Sequence, residues 1–337
     1  CLLSRGLGDV YKRQKLFSVL ICVFMFYSCD PEHKETIDPE VPPIEKPEEP
    51  DYPDEPKIPS TNTIINLNNE FMIVGSNSWS SVAYGNGIFV AVGAKGYYTT
   101  SSNEGTTWAT PKQLSITGDF NSVIFANGRF VALGSNGNVA VSTDNGGSWK
   151  VSKPFNTEYW RGVAYGNGKF VAVQSGGGLA TVSTSTDGET WTTPIKVGSG
   201  VTWMGIAFGN GKFVVVDANG YISSSTDGEN WTSPKMVEGK QWKCITYGNG
   251  KFVVADSYRG YVSTSTDGVT WTTAKQVGGV SNNWQGIAFG NGKFIVVGSS
   301  GYYSTSTDGD TWSTPTQIKN ETGSTVSVYL YGVGAIQ

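Results

Sequence analysis

The chain has 337 residues, 24 basic and 28 acidic side chains, a formal net charge of -4, and only 15% charged residues. Its 44 glycines and 11 tryptophans point to many short strands joined by tight turns. The one histidine, His33, precedes the repeats, which excludes a histidine-based zinc site. No metal or cofactor site is expected, and the near-neutral balance beyond residue 60 excludes nucleic-acid binding by phosphate neutralisation.

Residues 1–14, CLLSRGLGDVYKRQ, resemble a spurious translated end of assembled environmental sequence and are set aside from fold reasoning. Lys12, Arg13 and Lys15 flank an apolar run from Leu16 to Tyr27. As a helix that run rises about 18 Å, too short for a hydrocarbon core of about 30 Å, so it reads as the core of a secretory signal. The run ends at Ser28-Cys29-Asp30, which resembles the lipobox of bacterial lipoproteins, where the cysteine is lipidated and becomes the mature N-terminus. The alternative is an ordinary secretory signal carrying a chance cysteine. Asp30, Glu32 and Glu35 resemble the export signal of surface lipoproteins of the Bacteroidota type. On this reading residues 1–29 are leader, Cys29 is the lipidation site, and the protein belongs to the cell envelope as a surface-exposed outer-membrane lipoprotein. It meets the membrane through the lipid alone. Residues 30–60 hold nine of the fourteen prolines and eleven acids, a composition expected to form a disordered, self-repelling tether.

The remaining residues, 61–337, are repetitive. Ser185-Thr186-Asp187-Gly188-Glu189-Thr190-Trp191 recurs at Ser225–Trp231, Ser265–Trp271 and Ser306–Trp312. A version one residue longer, Ser142–Trp149, and a blurred copy with Asn103 in the Asp place, ending at Trp108, precede them. The closing tryptophans, at 108, 149, 191, 231, 271 and 312, are 40 to 42 residues apart, the period of a repeat architecture. Within one copy, Trp203–Phe208 reads as an apolar strand, Asn210-Gly211 as a type I′ hairpin, and Lys212–Val216 as a strand buried on both faces. A third strand, Tyr221–Ser225, and a fourth from Trp231 to Val237 complete a four-stranded antiparallel unit. Such a unit is one blade of an all-β propeller. The six copies open at Trp79, Phe120, Trp160, Trp203, Trp242 and Trp284, leaving about one blade's length in the two ends. The tail Tyr329–Ile336 aligns with Ile287–Phe294, and the head Asn68–Val74 with a hairpin and second strand. A seven-bladed ring, closed by both termini, follows; six blades with stray terminal strands is the alternative.

The pattern Ser-x-Asp-x-Gly-x-Thr-Trp resembles the Asp-box, or BNR repeat, of sialidases and related propellers. Asp144, Asp187, Asp227, Asp267 and Asp308 then hold turns rather than perform chemistry, since one active site has no use for a carboxylate in every blade. The sialidase site, as the resemblance implies it, needs three clamping arginines and an Arg-Ile-Pro motif. The repeats contain only Arg129, Arg161 and Arg259, and no Arg-Ile-Pro. The fold is kept and that chemistry is not.

The hairpins and Asp-turns share one rim of a propeller and repeat from copy to copy. Function is expected on the other rim, where the loops vary. Lys95, Asp217, Asp256, Tyr258 and Arg259 are the surface candidates there, and Trp160, Trp203, Trp242 and Trp284 are candidate stacking platforms. Asp217 and Asp256, equivalent positions in adjacent copies, form the best available carboxylate pair for a glycosidase. The leading expectation is a non-enzymatic, monomeric binding module for a glycan or protein, with a divergent sialidase-like glycoside hydrolase and a periplasmic scaffold or assembly factor as alternatives.

Overall fold

The computed structural model describes residues 64–335 except 76–77, 156–158, 177–179, 200, 280–281, 320–323 and 326. The leader, Cys29 and the acidic tether lie outside the described residues.

Seven antiparallel sheets form a ring. Six have four strands in sequence order, and the seventh has three among the described residues. Blade 4 is representative: Trp203–Gly209, Lys212–Asp217, Tyr221–Ser225 and Lys235–Met236 run from the centre outward. The hairpin between the first two strands takes the expected turn, with Asn210 at φ 46 and Gly211 at φ 73. Its second strand is buried along its length, because both sheet faces are covered by neighbouring blades. The cross-strand pair Phe208 and Phe213 meets at 4.7 Å between ring centroids. Gly209 is required because an added Cβ would lie 2.0 Å from the ring of Tyr247 in blade 5.

The blades adhere through apolar faces. Trp203 packs with Val171, Val173, Ala180 and Val182 of blade 3, and Trp242 packs with Val214, Val216 and Ile222 of blade 4. Each fully buried tryptophan is worth about 2–3 kcal/mol of apolar burial. The outer strands are shorter than expected, two residues in most blades, and carry exposed Lys112, Lys196, Lys235 and Lys275. Short charged edges discourage pairing with another chain.

Blade 7 joins the two ends of the described chain. Leu330–Ala335 is its inner strand, Phe71–Gly75 pairs beside it, and Ile64–Leu67 lies outside. The ring is therefore seven-bladed and closed by both termini, as the leftover length implies. The register of the tail differs from the sequence alignment by four residues. Leu330 faces Gly75 as Trp284 faces Gly298, and after the same bulge Gly332 faces Val74 as Gly286 faces Val297. The sequence alignment sets Gly332-Val333-Gly334 against the hairpin Gly290-Asn291-Gly292. Packing decides otherwise: fully buried Leu330 fills the place of the tryptophan, and a Cβ on Gly332 would lie 2.7 Å from the carbonyl oxygen of Ser80 in blade 1.

Candidate functional site

One rim of the ring is a set of fastenings. In each Ser-x-Asp turn the carboxylate folds back on its own loop. Asp227 Oδ1 accepts the N–H groups of Glu229 and Asn230 at 2.8 and 2.7 Å, and Ser225 Oγ donates to it at 2.9 Å. Trp231 Nε1 donates to Gly228 O at 3.0 Å, closing the turn. The carboxylates of Asp187, Asp267 and Asp308 repeat this geometry, and that of Asp144 repeats it with Ser148. Trp191 and Trp312 close their turns as Trp231 does, while Trp149 and Trp271 do not. The donors hold these carboxyls below the ordinary range. The Ser148 hydroxyl and N–H lower Asp144 to about 2. For Asp187 burial opposes the shift but the N–H groups of Thr190 and Glu189 outweigh it, giving about 2. The N–H groups of Thr270 and Val269 bring Asp267 to about 2. A carboxylate so saturated is a turn-former, not a general acid.

The same rim stitches the blades together. Lys169 pairs with Glu229 in the turn of the next blade, Lys251 with Asp310, and Lys293 with Glu70 in the Asn68-Asn69 hairpin of blade 7. Arg129 Nη1 donates to Asp187 O at 2.7 Å, which places that arginine away from any ligand rim. Asn66 of blade 7 donates to Glu104 O of blade 1 at 2.9 Å, so the stitching continues across the closure.

On the opposite rim several sequence candidates are not where they were expected. Asp217 and Asp256 are 0% and 2% exposed. Each ends a second strand directly opposite the opening tryptophan of its blade. Asp217 Oδ2 accepts the Thr202 N–H, and Oδ1 accepts those of Asn219 and Tyr221. Asp256 accepts from Gln241 on one oxygen and from Tyr258, Arg259 and Gly260 on the other. Both equivalent carboxylates are buried loop caps, occupied by backbone donors, and offer no acid–base pair to a sugar. Trp160, Trp203, Trp242 and Trp284 are each 0% exposed, so no ring face is left for a ligand to stack on. They are wedges between blades.

Lys95, Tyr258 and Arg259 do reach the surface. Lys95 stands at the tip of a tight turn with φ 54, its N–H bound to Asp119 and its carbonyl to Gln113. Tyr258 is 57% exposed, with the Arg259 guanidinium 5.2 Å from its ring centroid. Nearby Lys240 lies over the Tyr261 ring at 3.7 Å.

The main concavity was missed by the sequence reading. A central channel of about 420 Å³ is lined by the first residues of the inner strands. The position just after each blade-opening residue faces it: Ser80, Asn121, Arg161 and Met204, then Lys243, Gln285 and Tyr331. These positions begin the inner strands and so open toward the variable rim. Beneath them the wall is apolar, with Val163, Ile206, Ile245, Ile287 and Val333. Burial lowers the Lys243 ammonium below the ordinary lysine range, and the Arg161 charge lowers it further. Cys244 stands where Gly162, Gly205 and Gly286 stand in other blades, and burial pushes its thiol up to about 12. It supplies no thiolate at neutral pH. The signal for the channel was available as one column of the repeat alignment, the residue following the opening aromatic, which changes in every copy.

Among the described residues no group of three or more His, Cys, Asp or Glu is placed to hold a metal, and no helix is long and apolar enough to cross a membrane.

No protein-family model matches the chain, and no curated protein matches it. Among solved structures the fold is similar to that of YCF48 bound to D1 peptide, with TM-score 0.56 and 18% identity, covering 74% of this chain and 85% of that one. It is also similar to the computationally designed Ika8 protein, with TM-score 0.51 and 14% identity, covering 77% of this chain and 98% of that one. At such identities the likeness is one of fold.

Proposed function

We propose that this propeller is a non-enzymatic binding module of the cell envelope, taking a protein or glycan ligand on its variable rim and channel mouth. The observation that carries the reading is the contrast between its two rims. The hairpin rim repeats from blade to blade, and its polar groups are committed to one another. The variable rim presents Lys95, Tyr258 and Arg259 beside an open channel lined by Arg161, Lys243 and Gln285. Non-repeated groups on a rigid repeated frame are the usual arrangement of a recognition surface. The hydrolase reading is weakened because Asp217 and Asp256 are occupied as loop caps.

A protein ligand is the better supported of the two, because a propeller of similar fold has been solved bound to a peptide and no exposed tryptophan platform is available to a sugar. A scaffold or assembly role in the periplasm is compatible with that ligand. The Ser-x-Asp turns are read as Asp-boxes by resemblance, and Cys29 as the lipid attachment that tethers the domain through residues 30–60.

Screening the full chain on peptide and glycan arrays tests the reading. Substitution of Tyr258 and Arg259, or of channel residues, should reduce whatever binding is found, while Lys251→Ala on the hairpin rim should leave it intact. Binding that responds only to the hairpin-rim substitution would sink it.

A further inference from the structure

Among the described residues the channel mouth holds two cations and no carboxylate. Arg161 and Lys243 project from the inner strands of blades 3 and 5, on either side of Met204 in blade 4. Among the described residues neither pairs with a carboxylate, whereas three lysines of the opposite rim, Lys169, Lys251 and Lys293, do. The other titratable groups lining the channel are Cys244 and Tyr331, and no acidic side chain lines it among the described residues. Asp256, behind Cys244, is committed to its own loop. Two like charges facing one partly desolvated cavity repel, and an anion placed between them relieves the repulsion and gains charge-assisted hydrogen bonds.

The rest of the lining selects the kind of anion. The tryptophans that stack on sugar rings in other proteins are here buried between blades. The channel floor instead offers Val163, Ile206 and Ile245, with the adaptable thioether of Met204 above them. The amide of Gln285 stands at the same level as the cations. A cavity of about 420 Å³ suits a slender ligand with a carboxylate, an apolar group and amide bonds.

We propose that the channel mouth is a recognition site for an acidic peptide segment, its carboxylate held between Arg161 and Lys243 and a neighbouring apolar side chain set on the Ile/Val floor. The proposal rests on the reading of the variable rim as a binding surface and assigns that surface its ligand class. Binding an anion favours the charged form of Lys243, so affinity falls as pH rises through the lysine's lowered range, and it falls with salt.

The test is an array of hexapeptides with amidated C-termini, each present with Asp or Glu and again with the matching Asn or Gln, probed with the full chain. Acidic members with an apolar neighbour should bind about tenfold or more tighter than their neutral partners. Arg161→Gln and Lys243→Gln should each erase that preference, Arg161→Lys should restore part of it, and Lys251→Ala on the hairpin rim should leave it unchanged. Thermal denaturation of each variant identifies any that fail to fold. Because Arg161 is exposed, Arg161→Gln serves as the folded variant if Lys243→Gln does not fold. No preference for acidic peptides, or a preference insensitive to Arg161, overturns the proposal. Binding of a uronate oligosaccharide alone, or of peptides regardless of charge at the Tyr258–Arg259 rim, also overturns it but leaves the binding-module reading standing. Silence on both peptide and glycan arrays would overturn both.

Discussion

The Lys251 ammonium of blade 5 lies 2.5 Å from the Asp310 carboxylate in the turn of blade 6, and Thr264 Oγ1 of blade 5 donates to the other oxygen of Asp310 at 2.9 Å. The pair is part-exposed, with side-chain exposures of 25% and 32%, so its strength is modest. Lys251→Ala should cost about 0.5–1 kcal/mol in chemical denaturation. A double-mutant cycle with Asp310→Asn should show positive coupling of similar size. Zero coupling would mean that the rim pairs are incidental to blade adhesion.

Acid should loosen the same rim. Asp144, Asp187 and Asp267 titrate at about 2 in the folded protein, against about 3.9 for an unfolded Asp. A depressed carboxyl contributes stability that is present above the unfolded value and is lost as pH falls through the folded one. The melting temperature should therefore drop between about pH 4 and pH 2. Blade 1 already carries Asn103, whose Oδ1 accepts the Thr107 N–H at 3.0 Å without a titrating group. Asp267→Asn should accordingly flatten part of the slope, and an unchanged slope would assign it to other carboxylates.

Trp203 is a wedge rather than a platform. Trp203→Ala should cost about 3–5 kcal/mol by leaving a cavity between blades 3 and 4. Trp203→Phe should cost much less and preserve ligand binding. A Phe variant that melts normally but no longer binds would return this position to the recognition surface.

Asp217 should behave as a loop cap. Asp217→Ala leaves the N–H groups of Thr202, Asn219 and Tyr221 without their acceptor, at a cost of about 2 kcal/mol or more. The loss should be visible in denaturation and accompanied by faster amide exchange confined to blade 4. Any glycosidase activity that vanishes in a fully stable Asp217→Ala protein would contradict this role.

The closing strand should control the cooperativity of the ring. Deleting residues 330–337 removes the partner of Phe71–Gly75 and the inner strand between blades 6 and 1. The shortened chain should lose its single unfolding transition and self-associate through the exposed edge, as read by calorimetry and light scattering. A sharp, unshifted transition would show that six blades hold without the seventh.

The blades, hairpins and fastening turns were legible in the sequence because they are local. Asn210-Gly211 sets its own turn, and Asp227 accepts from residues two and three positions ahead, so a few consecutive residues carry the whole instruction. Repetition then identified the scaffold and, by difference, the rim whose loops vary from blade to blade. The tertiary structure decided what depends on contacts around the ring. It set the register of the tail by fitting Gly332 against the backbone of blade 1 and Leu330 into a tryptophan's place. It turned Asp217 and Asp256 inward, where each carboxylate accepts several N–H groups of its own loop. It also brought Arg161 and Lys243, 82 positions apart in the chain, to one channel mouth. Only closure of the ring does that, since neither residue is marked by its sequence neighbours as facing the other.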